Sequence, residues 1–220
     1  MTEDFKDKVV LITGAGRGHG RSLAEAFAAG GACVAANDIS PVNLDSLVAA
    51  HNGRIKAYVE DVAKKVGAQA VVKQVEDDFG GIDILINHAS VEPHVSLLDM
   101  DEWDWHRVLD VNLTGAFLMT QSVGRVMKEK GSGVIVNLTT AGLPGAKDNA
   151  AYLTTMNGLA ALTRSAAAEL APFGIRLHAV GNGLPEFQNA DMNVPRQFLD
   201  AVLYLCRHES LNGQMVNVTD

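Results

Sequence analysis

Four glycines and one carboxylate are the first residues of this chain whose types and spacing point to chemistry. Gly14, Gly16, Gly18 and Gly20 fall in the run Gly14-Ala15-Gly16-Arg17-Gly18-His19-Gly20, directly after the apolar stretch Val9 to Thr13 and before a segment of helical period. Glycines in that place allow a tight turn, let the backbone approach a pyrophosphate, and let the following helix pack closely on the strand. The unpaired N–H groups at the start of the helix then face the phosphate charge. A second apolar stretch ends at Asn37-Asp38, twenty residues beyond Gly18. A carboxylate at that distance accepts from both hydroxyls of an adenosine ribose and repels a 2′-phosphate, which favours NAD over NADP. Arg17 would pull the other way, but Asp38 is the stronger determinant. A glycine-rich turn beside a surface Asp would not need strand, loop, helix and acid in this order.

The histidines offer less. His19 stands inside the glycine loop, where a backbone N–H is the main requirement. His88 is either a cofactor contact or a satisfied buried histidine. His94 follows Pro93 in a loop and is the histidine best placed to touch a substrate, although a plain loop role is the simpler expectation. His51 with Gly53 reads as a helix end. No spacing of His, Cys, Asp or Glu suggests a metal site.

Positioning this loop requires a particular scaffold. Short apolar runs at Val9 to Thr13, Ala32 to Asn37, Ile55 to Val59, Ile82 to Asn87, Gly133 to Leu138, Arg176 to Val180 and Met215 to Val218 read as buried strands. Helical segments are expected at Gly20 to Ala29, Leu44 to His51, Lys64 to Phe79, Asp104 to Lys130, Ala150 to Pro172 and Pro195 to Arg207. Strands without polar alternation, separated by helices, specify a doubly wound parallel α/β sheet of about seven strands, Rossmann-like, with ligands at the carboxyl ends of its strands. The 220 residues suit a single domain, 1–220. A formal charge of −8, with no basic cluster, argues against a nucleic-acid partner. No apolar run is long enough for a membrane span, and the charged N-terminus lacks a signal-peptide core. Two cysteines, Cys33 and Cys206, are too few for a disulfide framework, so a cytoplasmic protein with reduced, buried thiols is expected.

The chain resembles the short-chain dehydrogenases/reductases along essentially its whole length. Thr13 to Gly20 resembles the family's TGxxxGxG, and Asp61-Val62 resembles the pair after the third strand whose Asp bonds the adenine amino group. Asn87-His88-Ala89-Ser90 resembles the NNAG motif, and Asn112 in Val111-Asn112-Leu113-Thr114-Gly115 matches the mid-helix Asn. Tyr152 falls at the catalytic Tyr, twelve residues after Thr140, and Gly213 to Val218 resembles the last strand. The resemblance implies hydride transfer between nicotinamide and a small carbonyl or alcohol substrate. Thr140 would position the carbonyl oxygen, Tyr152 would exchange its proton, and Asn112 would hold a relay water. Cofactor contacts would come from Gly14, Arg17, Gly18, His19, Gly20, Asp38, Asp61, Val62, Asn87, Ala89, Asn182 and Gly183. It further implies a homodimer or homotetramer built on the helices Asp104 to Lys130 and Ala150 to Pro172. Trp103 has a family counterpart and is expected in the core; Trp105, on another face, is the candidate surface anchor.

Three departures bear on chemistry. Met156 replaces the Lys four residues after Tyr, which in the family binds the nicotinamide ribose and lowers the Tyr pKa. Gly181-Asn182-Gly183 replaces the family's Pro-Gly turn against the nicotinamide. The substrate lid, 184–195, is short. For a tyrosine with an ordinary pKa of ~10, acting as a base at pH 7 costs about 4 kcal/mol. Oxidation needs that base, whereas reduction needs only the neutral phenol as donor. The expectation is therefore an NAD(H)-dependent oxidoreductase with weak activity biased towards reduction. The alternative is a catalytically impaired NAD(H)-binding protein acting as a sensor or oligomer partner.

Overall fold

The computed structural model describes residues 4–51, 53–140, 147–182 and 196–218. Strands β1 (Val9–Thr13), β2 (Cys33–Asp38), β3 (Ile55–Val59), β4 (Ile84–Asn87), β5 (Gly133–Thr139), β6 (Ile175–Asn182) and β7 (Met215–Val218) form one sheet in the order β3-β2-β1-β4-β5-β6-β7. Every neighbouring pair is parallel. The helices are α1 (Gly18–Ala29), α2 (Val42–Ala49), α3 (Lys65–Phe79), α4 (Glu102–Leu109), α5 (Gly115–Lys130), α6 (Ala150–Leu170) and α7 (Arg196–Arg207). The chain winds outward from β1 in one direction and then restarts at β4 in the other. The crevice between β1 and β4 is therefore the switch point at which open α/β sheets bind ligands.

The unbroken apolar strands are explained by two cores. Val10, Ile12, Val34 and Ile86 point to one face, under Leu23 and Phe27 of α1, Leu44 and Leu47 of α2, and Phe198 and Val202 of α7. Val9, Leu11, Ala35 and Leu85 point to the other, under Val71 and Val75 of α3 and Met119, Val123 and Met127 of α5. Alternate residues of one strand thus enter different cores, so the strands are apolar over most of their length and their buried polar residues, such as Thr13, Asn87 and Asn137, are held by hydrogen bonds. Truncating a residue such as Leu11, which is fully buried, would cost about 2–5 kcal/mol.

The structure departs from the sequence expectation at one helix and at one tryptophan. The single helix expected over Asp104 to Lys130 is two helices joined by a π-helical turn, Asp110–Thr114. The turn inserts a residue without changing the apolar period on either side, so periodicity does not reveal it. Trp103 is not in the core: it is 66% exposed, with the Arg107 guanidinium over its ring. Asp101 caps α4 by accepting from the Asp104 N–H at 2.7 Å, and Val108 is the buried residue of that helix. Trp105 lies about 60° from Val108 around the helix and is half-buried, whereas Trp103 lies about 140° away. Of the two thiols, Cys206 is buried and Cys33 partly so, and both are free.

Candidate functional site

The site begins where β1 stops. Thr13 is buried, and its hydroxyl accepts from the backbone N–H groups of both His88 and Ala89 at 3.1 Å, which ties the ends of β1 and β4 together. The glycine loop then turns over this junction into α1, which starts at Gly18, two residues earlier than expected. Gly20 is forced by close approach: a Cβ there would lie 2.4 Å from the Gly14 carbonyl oxygen and 2.6 Å from His88 Nδ1. Gly18 differs, with φ +55 and no atom within 4 Å of the place a Cβ would occupy. The loop is thus tight against the protein at Gly20 and open at Gly18, where α1 begins. Such a cradle suits a diphosphate.

Asp38 sits beside it at the end of β2. Its Oδ2 accepts from Gly16 N–H at 3.0 Å and its Oδ1 from Ser40 N–H at 3.2 Å. A carboxylate has about four acceptor positions, so two remain for outside donors. Arg17, at the N-cap of α1, is exposed. Asp61 accepts from Ala63 N–H at 3.0 Å and turns the chain into α3, with Val62 buried behind it. His88 donates from Nδ1 to the Gly14 carbonyl at 3.0 Å, since a carbonyl can only accept. Burial holds its pKa below the usual histidine value. His19 packs its ring on Phe198 at 4.6 Å, and burial beside His88 lowers its pKa to about 4. Both rings are therefore neutral at pH 7, and His19 has a packing role beyond its backbone. His94 is exposed.

The Asn87 side chain is tied into the interior through its nitrogen, while its Oδ1 has no hydrogen-bond partner. Its Nδ2 donates to Asn137 Oδ1 at 2.8 Å and to Thr120 Oγ1 at 3.2 Å, inside the layer between sheet and helices. Asn137 continues to Thr163 of α6 at 2.9 Å. This buried ladder fixes β4, β5, α5 and α6 relative to one another.

The second half of the site lies at the end of β5. Thr140 faces Tyr152 of α6 and eases the phenol pKa downward, but its Oγ1 forms no hydrogen bond of normal geometry. Burial, the larger effect, together with the Glu92 carboxylate, pushes Tyr152 up to about 12. Asn112, 2% exposed in the π-helical turn, has its side chain engaged in structure. It accepts from Val91 N–H at 2.8 Å, donates to the Val91 carbonyl at 2.9 Å, and donates to Thr155 Oγ1 at 3.2 Å. Thr155 in turn donates to the Tyr152 carbonyl at 2.7 Å. From Val91 the chain passes to Glu92, whose Oε1 accepts from Asn149 Nδ2 at 2.8 Å, three residues before Tyr152. These contacts close a ring that fixes Tyr152 against the loop after β4. Met156, one turn after Tyr152, is 2% exposed, and its carbonyl accepts from Thr139 Oγ1 at 3.0 Å.

The structure therefore brings Gly14, Gly18, His19, Gly20, Asp38 and Ala89 together at the β1–β4 crevice, and Asn112, Thr140 and Tyr152 at the neighbouring strand end. Asn182 ends β6, while Gly183 and the expected lid, 184–195, lie outside the described residues. Glu92 and Asn149 escape sequence reasoning, because an acid in a loop and an Asn at a helix start have ordinary local explanations. Among the described residues no cluster of three metal-ligating side chains occurs, and no helix is long and apolar enough to cross a membrane.

A doubly wound sheet with a glycine cradle at its switch point defines a Rossmann-like α/β fold, and comparison with known proteins is more specific. Residues 8–196 match the short chain dehydrogenase family, and the chain belongs to it. It is 39% identical over 238 aligned positions to the 3-oxoacyl-(acyl-carrier-protein) reductase FabG of Thermotoga maritima, covering 97% of each chain. It is 36% identical over 183 positions to the D-threitol dehydrogenase of Mycolicibacterium smegmatis, covering 80% of this chain and 70% of that one. The crystal structure of a 3-ketoacyl-(acyl-carrier-protein) reductase from Brucella melitensis complexed with NADH superposes with a TM-score of 0.89 at 26% identity, covering 97% of both chains.

Proposed function

We propose that this chain is an NAD(H)-dependent oxidoreductase that interconverts a small carbonyl compound and its alcohol, slowly and with a bias towards reduction. The observation that carries the proposal is the placement of Tyr152 and Thr140 at the strand end beside the glycine cradle. The open position at Gly18 and the spare acceptor positions of Asp38 fit the cofactor. Gly14, Arg17, Gly18, His19 and Gly20 would hold the pyrophosphate, Asp38 the adenosine ribose, and Asp61 and Val62 the adenine. The end of β4 at Asn87 and Ala89, with Asn182 and Gly183, would line the nicotinamide side. When bound, the nicotinamide supplies or accepts the hydride.

The protein's own part is to position an oxygen and move a proton. Thr140 donates to the substrate oxygen, and the Tyr152 hydroxyl exchanges its proton with it. Met156 stands where the family resemblance expects a lysine, and a buried thioether cannot stabilise a phenolate. With Tyr152 raised to about 12, presenting the base at pH 7 costs about 7 kcal/mol rather than the roughly 4 kcal/mol expected from sequence. The neutral phenol, by contrast, is fully populated, which supports the reductive bias. Asn112 acts by placing Val91 and Tyr152, since its amide is already engaged. The same buried Met156 favours the second reading, a cofactor-binding protein without turnover.

An NADH fluorescence titration combined with turnover of a carbonyl panel in both directions separates the two. Binding with measurable reduction supports the enzyme. Binding with no turnover leaves the non-catalytic protein, and absence of NADH binding overturns both.

A further inference from the structure

We infer that Asn149, oriented by Glu92, is the recognition group for a hydroxyl on the carbon next to the reacting carbonyl, so that the substrate is a 2-hydroxy ketone and its reduced form a vicinal diol. The inference rests on the proposed hydride-transfer reading for its reacting oxygen. It stands on side chains that neither the cradle nor the proton donor uses.

Asn149 is 5% exposed, and its Oδ1 has no hydrogen-bond partner. A buried acceptor left in this state costs about 1–3 kcal/mol, which a matching donor would restore. The amide cannot turn round to hide the problem. Its Nδ2 donates to the Glu92 carboxylate at 2.8 Å, and reversing it would set two oxygens against each other. Glu92 is itself well placed, because both backbone groups of Val91 are held by Asn112. A second tie joins the same two segments, with Val95 N–H donating to the Asp148 carbonyl at 3.1 Å. Asp148 adopts φ 61 there, a left-handed conformation uncommon for a residue with a side chain. That conformation is the kind of local strain that tends to accompany a functional site.

The second unpartnered oxygen completes the arrangement. Thr140 Oγ1 is also buried with no hydrogen bond of normal geometry, and it faces the Tyr152 phenol. Asn149 is the residue just before α6 and Tyr152 lies within its first turn, so the two are separated by roughly 5 Å, about one helical pitch. The O–C–C–O unit of a hydroxy ketone spans such a gap, with the carbonyl oxygen at Tyr152 and Thr140 and the hydroxyl donating to Asn149 Oδ1. The Glu92 carboxylate beside this position disfavours a 2-keto acid, whose carboxylate would be repelled.

The test compares hydroxyacetone with butanone, which differ by a hydroxyl in place of a methyl, as substrates of the full chain with NADH. For the wild type, kcat/KM should favour hydroxyacetone, and Asn149→Ala should reduce that ratio about tenfold or more, the equivalent of ~1.4 kcal/mol. Glu92→Gln, which lets the amide turn, should reduce it in the same direction and serves if the first variant does not fold. Saturation-transfer NMR of both ketones on the NADH-bound protein reads recognition without turnover. Selective binding of hydroxyacetone, lost in Asn149→Ala but without turnover, keeps the recognition site and overturns hydride transfer. Turnover of both ketones with a ratio unchanged by either variant overturns the recognition site and keeps hydride transfer. Neither selectivity nor turnover overturns both.

Discussion

Replacing Met156 by lysine probes the site most directly. Met156 follows Tyr152 by four residues on α6, so the two side chains share a helix face with origins about 5–6 Å apart. An ammonium placed about 5 Å from the phenol oxygen in an effective dielectric of about 20 would favour the phenolate by roughly 3 kcal/mol. That moves the tyrosine from about 12 to somewhat below 10, since ~1.4 kcal/mol corresponds to one pH unit. At pH 9 the phenolate fraction then rises about two-hundredfold, and oxidation of an alcohol such as 1,2-propanediol by NAD should rise with it. Reduction should change less, because the neutral phenol is already populated. The replaced methionine is 2% exposed, so burying an ammonium there should cost about 3 kcal/mol of stability. Met156→Gln controls for that loss without supplying charge and should leave the pH profile of oxidation unshifted. The assay is the rate of NAD reduction from pH 6 to 10, beside a thermal melt and an NADH titration. A folded, NADH-binding Met156→Lys protein with the wild-type rate and pH profile would refute the proton-transfer reasoning.

Other outcomes follow from the same geometry. Gly20→Ala sets a methyl against the Gly14 carbonyl; it should destabilise the chain by about 1–3 kcal/mol, read in urea melts, and weaken NADH binding. Gly18→Ala meets no atom and should cost only the positive-φ strain, about 1 kcal/mol. Asp38→Asn keeps an acceptor for Gly16 N–H but loses the charge, so competitive titration should show the preference for NADH over NADPH shrinking about tenfold or more. Asn112→Ala opens the ring through Val91 and Thr155 and should lower kcat with little change in NADH affinity. His178 is fully buried, and desolvation with Arg176 nearby lowers its pKa to about 4. A histidine whose folded pKa is depressed stabilises the fold above the unfolded value of ~6.5, and that stability falls as pH drops towards 4, by about 3 kcal/mol. Urea melts between pH 7 and 4 should show the loss, and His178→Gln should flatten it.

Read alone, the residue order specified the scaffold, the glycine turn after β1 and the carboxylate at the end of β2. Those depend on local rules: apolar runs that fill two cores, glycines that permit one tight turn, and an acid at the end of the next strand. That Thr140 and Tyr152 would be neighbours was legible because their spacing survives in a resemblance to a family. Other features depended on contacts between segments far apart in the chain. Asn112 read as a relay residue, and the structure adds that its side-chain amide holds Val91 and Thr155. Asn87 read as a cofactor contact, and the structure adds that its Nδ2 also ties β4 to Asn137 and Thr120. Trp103 lies outside the core because α4 packs through Val108, about 140° away around the helix. The pKa of Tyr152 rose because burial and Glu92 act together, and neither is visible in the spacing of the motif. Glu92 and Asn149 became a pair only when the loop after β4 was laid against the start of α6. Sequence specified which backbone turns were possible; tertiary packing decided which polar groups were engaged in structure and which were left for a ligand.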